Sequence, residues 1–331
     1  MKYTFRKRIL NIPAARTGRS WLKKIKFKRH DHLSLYRFLK IFIHNINEDE
    51  IVDRSNGVAY NFILAIFPTT IFLFTLIPYI SDYFPDINKD SIMNFMADLL
   101  PASMYGVFSS TILDIVINQR GGLLTFGFVL ALYLATNGMM TLMNTFNACY
   151  RTVEKRNWFK MRLTAIGLTI MLSVVLFSAT ALLIVGQILL NKITIDVSEL
   201  SHFRLDHYTI YFLILLRFLV IFVVFFVAIS FIYYFGPAVH YNWNFFSIGS
   251  FVATLGCLGI SYGFSFYVSN FASYNKVYGS IGTLIALMVW VQLLTLVLLI
   301  GYEINASLHY GRKVAAIDLH RRTKRIDKAY R

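Results

Sequence analysis

Five stretches of the chain contain no Asp, Glu, Lys or Arg: Ser55–Ser81, Gly121–Tyr150, Leu163–Asn191, Phe218–Asn275 and Val277–Tyr302. A helix that crosses the hydrocarbon of a bilayer needs roughly 20 apolar residues, and each run reaches that length. Phe218–Asn275 is long enough for two helices, with "FGPAVHYNWN" (Phe235–Asn244) as the turn between them. The pattern predicts six spans, near 58–80, 123–148, 163–190, 208–235, 245–271 and 279–308. The expected fold class is therefore all-α, a polytopic membrane protein with six transmembrane helices plus amphipathic interfacial helices. A basic N-terminal region (1–54) precedes the membrane domain (55–308), and a basic tail (309–331) follows it.

Two segments between runs show helical periodicity. In "SLYRFLKIFIHNI" (Ser34–Ile46), Leu35, Phe38, Leu39, Phe42, Ile43 and Ile46 share one face, with Arg37, Lys40 and His44 elsewhere on the wheel. This predicts an amphipathic helix on the membrane surface or against the base of the bundle. After the first span, Ile92, Phe95, Met96, Leu99 and Leu100 repeat helically, as do Tyr105, Phe108, Ile112 and Ile115, with Pro101 dividing the groups. Two short helices covering that end of the bundle are expected, since a loop of this length is seldom structureless.

Composition agrees with the pattern. The 331 residues are 56% hydrophobic and 15% charged, whereas a soluble domain carries about a quarter charged residues. No cleavable leader is expected, because the basic first 57 residues lack a short apolar core. Cys149 and Cys257 fall in or beside different spans, so no disulfide is expected between them. Neither internal repeats nor low-complexity blocks stand out.

The net charge of +16 raises nucleic-acid binding, and its distribution argues against that. Residues 1–57 carry +9, 149–162 carry +4 and 309–331 carry +6, all on one side of a six-span topology. The opposite side holds −3 over 81–120, −1 over 191–207 and +1 over 271–278. The positive-inside rule makes both termini cytoplasmic. Clustered basic residues beside spans set orientation and hold anionic lipid, so anionic phospholipid is the expected partner and nucleic acid is not.

Polar residues at membrane depth tend to face the bundle interior. Asn137, Thr141 and Asn144 lie on one face of the second span, with Asn147 close by; Asn61 precedes Pro68 in the first. Pro68 removes a backbone hydrogen bond and should kink that helix. Glu303 and Asn305 come late in the sixth span, which places them at the membrane rim. Glu303 is then either an interfacial anchor or helix-packing carboxylate, or one member of a polar cavity shared with Asn61, Asn144, Asn147 and Asn305. Arg217 is nearer the midplane, with no acid at its depth in any span. It either caps carbonyls and the asparagine-rich face, or lines a wet cavity and meets an anion. Gly249, Ala253, Gly256 and Gly263 form a ridge, with Gly259 alongside, suited to close helix contact within the bundle; dimerisation is the competing use.

Three segments together resemble the YihY/virulence factor BrkB family of bacterial inner-membrane proteins. These are "AYNFILAIFPTTIFLFTLIPYI" (Ala59–Ile80), "GLLTFGFVLALYLATNGMMTLMNTFNACY" (Gly122–Tyr150) and "YVSNFASYNKVYGSIGTLIALMVWVQLLTLVLLIGYEINASL" (Tyr267–Leu308). The third is the most specific, closing on Gly301-x-Glu303-x-Asn305-Ala306. The resemblance implies six spans with cytoplasmic ends and an envelope role, with a lipid or lipid-linked substrate as one suggestion. Members have also been called ribonuclease BN. Metal-dependent hydrolysis needs clustered acidic or histidine ligands, and the eight histidines are scattered, His30-Asp31-His32 alone making no site.

Two classes of function fit. One is a transporter or flippase-like carrier of an anionic amphipathic substrate; the other is a non-transporting scaffold or envelope-assembly factor. No G-x-x-x-x-G-K-[ST] loop occurs, so a carrier would be passive, ion-coupled or driven by a partner. An enzyme ranks third, since the spans offer no paired carboxylates and no nucleophile with an evident base. No metal or cofactor is expected.

Overall fold

In the computed structural model the described residues are 26–27, 33–48, 50–80, 120–199, 207–238, 244–270 and 273–329, with single positions 24 and 93. A two-residue antiparallel pair, β1 (Lys26–Phe27) and β2 (Leu33–Ser34), leads into helix α1 (Leu35–Glu48). Six long helices follow: α2 (Ile51–Ile80), α3 (Gly121–Cys149), α4 (Trp158–Glu199), α5 (His207–Phe235), α6 (Ile248–Asn270) and α7 (Ser273–Ala329). Each contains a segment long and apolar enough to cross a membrane. The proposed helices between residues 92 and 115, and His30–His32, lie outside the described residues.

The helices overrun the uncharged runs. α2 begins at Ile51, ahead of the first span, and includes Asp53 and Arg54. It continues through Pro68 and Pro78 as one helix, so Pro68 does not end it. Pro68 itself is buried. Likewise α7 does not stop near 308 but runs to Ala329. Once backbone hydrogen bonds are established, charged residues prolong a helix beyond the hydrocarbon as readily as apolar ones do within it.

α2 packs most extensively on α3, α6 on α7, and α7 also on α2; α4 and α5 complete the bundle, α5 meeting α4 and α6. At the α2–α3 contact, a Cβ on Gly138 would lie 2.8 Å from the Phe62 ring. The core gathers toward the end that carries the basic loops, here called the basic end. Phe146, Tyr233 and Tyr302, all buried, form a cluster with ring centroids 4.2–5.5 Å apart. Such aromatic pairs add roughly 0.5–1.5 kcal/mol beyond their buried area. The Tyr233 hydroxyl donates to the Leu298 carbonyl, which satisfies its polar tip.

Along α6 only part of the glycine ridge is in contact. A Cβ on Gly249 would collide with the Gly301 carbonyl oxygen, and one on Gly256 would lie 2.6 Å from Val297 Cγ1. Gly259 and Gly263, by contrast, face nothing within 4 Å. The close glycine contact of the α6–α7 seam therefore uses Gly249, Ala253, Gly256 and Gly301, and further along the two helices meet through the stacked rings of Phe264 and Trp290.

Helix α1 lies against α7. Phe38 and Leu308 form a small buried cluster joined by Leu35, Leu39, Phe42 and Ile304. Ile43 points away and is 58% exposed, so the apolar face predicted for α1 is split between the bundle and the surroundings.

Candidate functional site

The polar residues singled out in the spans do not converge on one cavity. The structure distributes them over four separate sets of hydrogen bonds, two of which do the same work at helix ends and are taken together, with Asn144 and Arg217 outside them.

The first group ties α1 to α7. Asn45 Nδ2 donates to Glu303 Oε1 at 2.8 Å and to Ser307 Oγ at 3.2 Å, and the Ser307 hydroxyl donates to Glu303 Oε1 at 2.7 Å. Glu303 is 0% exposed. α1 covers Glu303 and α7 continues past it, so the carboxylate joins two helices inside the protein. Beside the group is a cavity of about 140 Å³ lined by Asn45, Cys149, Tyr150, Arg151, His309 and Tyr310. Arg151 adopts a left-handed conformation, φ 51°, just past the end of α3, where glycine is the usual residue. Its guanidinium pairs with Glu48 at 3.0 Å.

The second group holds helix ends together. Asn305 Oδ1 accepts from the Gly249 backbone N–H at 2.9 Å, and its Nδ2 donates to Ser247 Oγ at 2.8 Å. Ser247 Oγ in turn accepts from the Ser250 N–H at 3.1 Å. Two of the N–H groups that a helix start leaves without intrahelical partners are thereby satisfied at α6. Asn147 does similar work one helix over. Its Nδ2 donates to Glu154 at 2.7 Å and its Oδ1 accepts from the Ala238 N–H at 2.7 Å. Glu154 pairs with Arg156 at 2.8 Å, and Arg156 donates to the Gly236 carbonyl at 2.7 Å, beyond the C-terminus of α5 where a cation is favoured. The hydrogen bonds from Arg156 hold the Glu154 carboxyl down at about 2, against the weaker opposing effect of burial.

The third group crosses α2, α3 and α4. Asn61 Nδ2 donates to the Gly57 carbonyl at 2.9 Å and to Thr141 Oγ1 at 3.3 Å; the Thr141 hydroxyl donates to the Asn137 carbonyl at 2.9 Å. Asn137 Oδ1 accepts from Arg162 Nη1 at 2.6 Å. The guanidinium lies over the Tyr133 ring at 4.3 Å and 5.9 Å from the Trp158 ring. Tyr133 is 53% and Trp158 67% exposed, and Asn144 is exposed on the same helix. The group therefore opens outward from the bundle.

Asn137 is close to the middle of α3 (Gly121–Cys149), about 18 Å from its basic end at ~1.5 Å per residue. Arg162 itself is four residues into α4 (Trp158–Glu199), about 6 Å along the axis at ~1.5 Å per residue, and its cation–π contact with Tyr133 contributes about 0.5–2 kcal/mol. In the sequence Arg162 belongs to the charged flank, 149–162, that sets orientation. The available signal was its place just past Trp158, level with the polar face of the antiparallel α3.

Arg217 stands apart from the three groups. It is half-buried on α5 beside the exposed Leu215, Leu216, Phe218 and Leu219, and other groups of the protein engage it. Among the described residues, no three His, Cys, Asp or Glu side chains come together to hold a metal ion.

Six apolar helices bound together by polar contacts define a multi-pass α-helical membrane protein. The chain belongs to the virulence factor BrkB family, whose model matches residues 42–327. It is 32% identical over 277 residues to the ribonuclease-like protein YfkH of Bacillus subtilis (strain 168), a match covering 84% of this chain and 97% of YfkH. No solved structure matches.

Proposed function

We propose that this protein is a flippase-like carrier of an anionic amphipathic lipid, acting in the inner membrane of a bacterium with its basic end in the cytoplasm and serving the cell envelope. The observation that carries this reading is the third group. Asn61, Thr141 and Asn137 with Arg162 place amides, a hydroxyl and a cation half-buried at the α2–α3–α4 contact, and Asn144 adds an exposed amide on α3. Hydrocarbon is a poor neighbour for such groups, whereas a lipid headgroup passing along them is a good one. The excess of basic residues at one end supports a second role for anionic phospholipid, as the lipid held at that face.

The test is reconstitution in phosphatidylcholine vesicles doped with a fluorescent phosphatidylglycerol. Dithionite bleaches only the outer leaflet, so a carrier should carry bleaching well past half of the fluorophore. Bleaching no faster than in protein-free vesicles would overturn the carrier reading.

A scaffold is the second reading, and α7 supports it. The helix runs 18 residues beyond its span end at Gly311, to Ala329. That extension carries Arg312, Lys313, Arg321, Arg322, Lys324, Arg325 and Lys328, a basic rod suited to recruiting anionic partners.

A further inference from the structure

We infer that Arg162 is the headgroup-binding residue of this protein, taking the phosphate of a net-anionic glycerophospholipid that enters sideways from the bilayer. The assignment deepens the carrier reading, yet the two can fail separately.

The guanidinium is only half used. Nη1 bonds Asn137 Oδ1 and approaches Met140 Sδ at 3.2 Å. Nε and Nη2 have no acceptor among the described residues, and no carboxylate there pairs with Arg162. That free edge is the one through which a guanidinium takes a phosphate by two parallel hydrogen bonds. Asn137 and the Tyr133 face fix the plane of the guanidinium, so little freedom is left to lose when an anion arrives.

The surroundings select a lipid. Tyr133 and Trp158 are exposed beside the cation; Phe159, next to Trp158 in the chain, is 72% exposed, and Phe126, Phe128 and Val129 are exposed one to two turns further along α3. Aromatic rings of this kind sit at headgroup level in membrane proteins, and the apolar surface beyond them matches acyl chains. Asn144, also exposed on α3, adds an amide for the glycerol or headgroup hydroxyls. A soluble anion would have no use for this apolar border.

Binding of short-chain phosphatidylglycerol to the purified full-length protein in detergent tests the inference, with phosphatidylcholine of equal chain length and inorganic phosphate as the other probes. Arg162→Gln should weaken phosphatidylglycerol binding about tenfold or more, the loss of a charge-assisted pair, and Arg162→Lys should keep part of it. Asn137→Asp gives a near-isosteric check: a carboxylate against Nη1 neutralises the cation without removing it. It should weaken lipid binding as Arg162→Gln does while thermal stability stays at or above wild type. Should Arg162→Gln not fold, Asn137→Asp decides. Wild-type binding in either folded variant overturns the assignment. Displacement of phosphatidylglycerol by millimolar inorganic phosphate overturns its lipid part. If the binding pattern holds while vesicles show no lipid movement, the carrier reading falls and the site stands.

Discussion

Asn45 and Glu303 are joined by a 2.8 Å hydrogen bond across 258 residues of chain, and that bond docks helix α1 on helix α7. Both side chains are buried, Glu303 to 0% and Asn45 to 8% exposure. Oε1 also receives the Ser307 hydroxyl, so one oxygen organises two donors. The amphipathic helix is thereby part of the bundle's fixed structure, held by a polar contact inside an otherwise apolar interface.

Glu303→Ala should leave the Ser307 hydroxyl without its acceptor and the Asn45 amide with only Ser307 Oγ, at about 1–3 kcal/mol for a group stranded in the interior. Glu303→Gln retains a carbonyl oxygen for both. The alanine variant should therefore lose more thermal stability than the glutamine variant, and Asn45→Ala should expose α1 to limited proteolysis. Wild-type melting of both Glu303 variants in a detergent-solubilised preparation would contradict this structural role.

The α6–α7 seam makes a positional prediction from glycines of the same chemistry. A Cβ at Gly301 would lie 2.6 Å from both Ala253 Cβ and the Tyr233 hydroxyl, whereas Gly259 and Gly263 have open space. Gly301→Ala must force the helices apart, costing typically 1–3 kcal/mol as overpacking. Gly259→Ala and Gly263→Ala should be neutral or slightly stabilising, since alanine is the better helix former. If the bundle melts earlier with Gly263→Ala than with Gly301→Ala, the seam has been misplaced.

The spans could be read from the sequence because exclusion of charge over some twenty residues is a one-dimensional property that hydrocarbon imposes. The partners of individual polar groups are not one-dimensional. Rise along its own helix places Glu303 late in the span, but nothing near it in sequence names Asn45 as its partner. Asn144 shares a helical face with Asn137, yet it is exposed and Asn137 meets Arg162. Arg162 itself was absorbed into a charge count, because periodicity cannot tell a basic flank from an arginine that a neighbouring helix draws inward. Asn147 and Asn305 are polar for a third reason, the unsatisfied N–H groups at chain turns and helix starts.

The latch between the α3–α4 loop and the end of α5 should respond to acid. Glu154 has its carboxyl depressed from an ordinary 4.5 to about 2 by Arg156 and Asn147. A depressed carboxyl contributes stability that is complete above its unfolded value and lost as pH falls through its folded one. The contribution is thus full above about pH 4.5 and fades toward about pH 2. Wild type should melt higher than Glu154→Gln near neutrality, and the gap should close as pH drops through that window. A gap that stays constant to the acid limit would show that the carboxylate charge contributes nothing.

Arg217 and Arg162 are both arginines inside predicted spans or at their edges, and their surroundings separate them. Arg217 is half-buried and engaged by other groups of the protein. Arg162 presents an unused edge next to exposed aromatics. Removing an engaged cation strands the groups around it, so Arg217→Gln should lower thermal stability by an amount typical of a lost buried charge-assisted bond, about 1.5–3 kcal/mol. Once corrected for folded protein, its binding of phosphatidylglycerol should stay within about twofold of wild type, a difference of under ~0.5 kcal/mol. Arg162→Gln should show the converse, with binding weakened about tenfold or more and melting lowered less, since its loss leaves one acceptor, Asn137 Oδ1, without a donor. The two measurements on both variants form a crossed pair that no general loss of fold can imitate. Should folded Arg217→Gln lose lipid binding as Arg162→Gln does, the substrate path would include α5, with Arg217 as a second cation that meets the ligand.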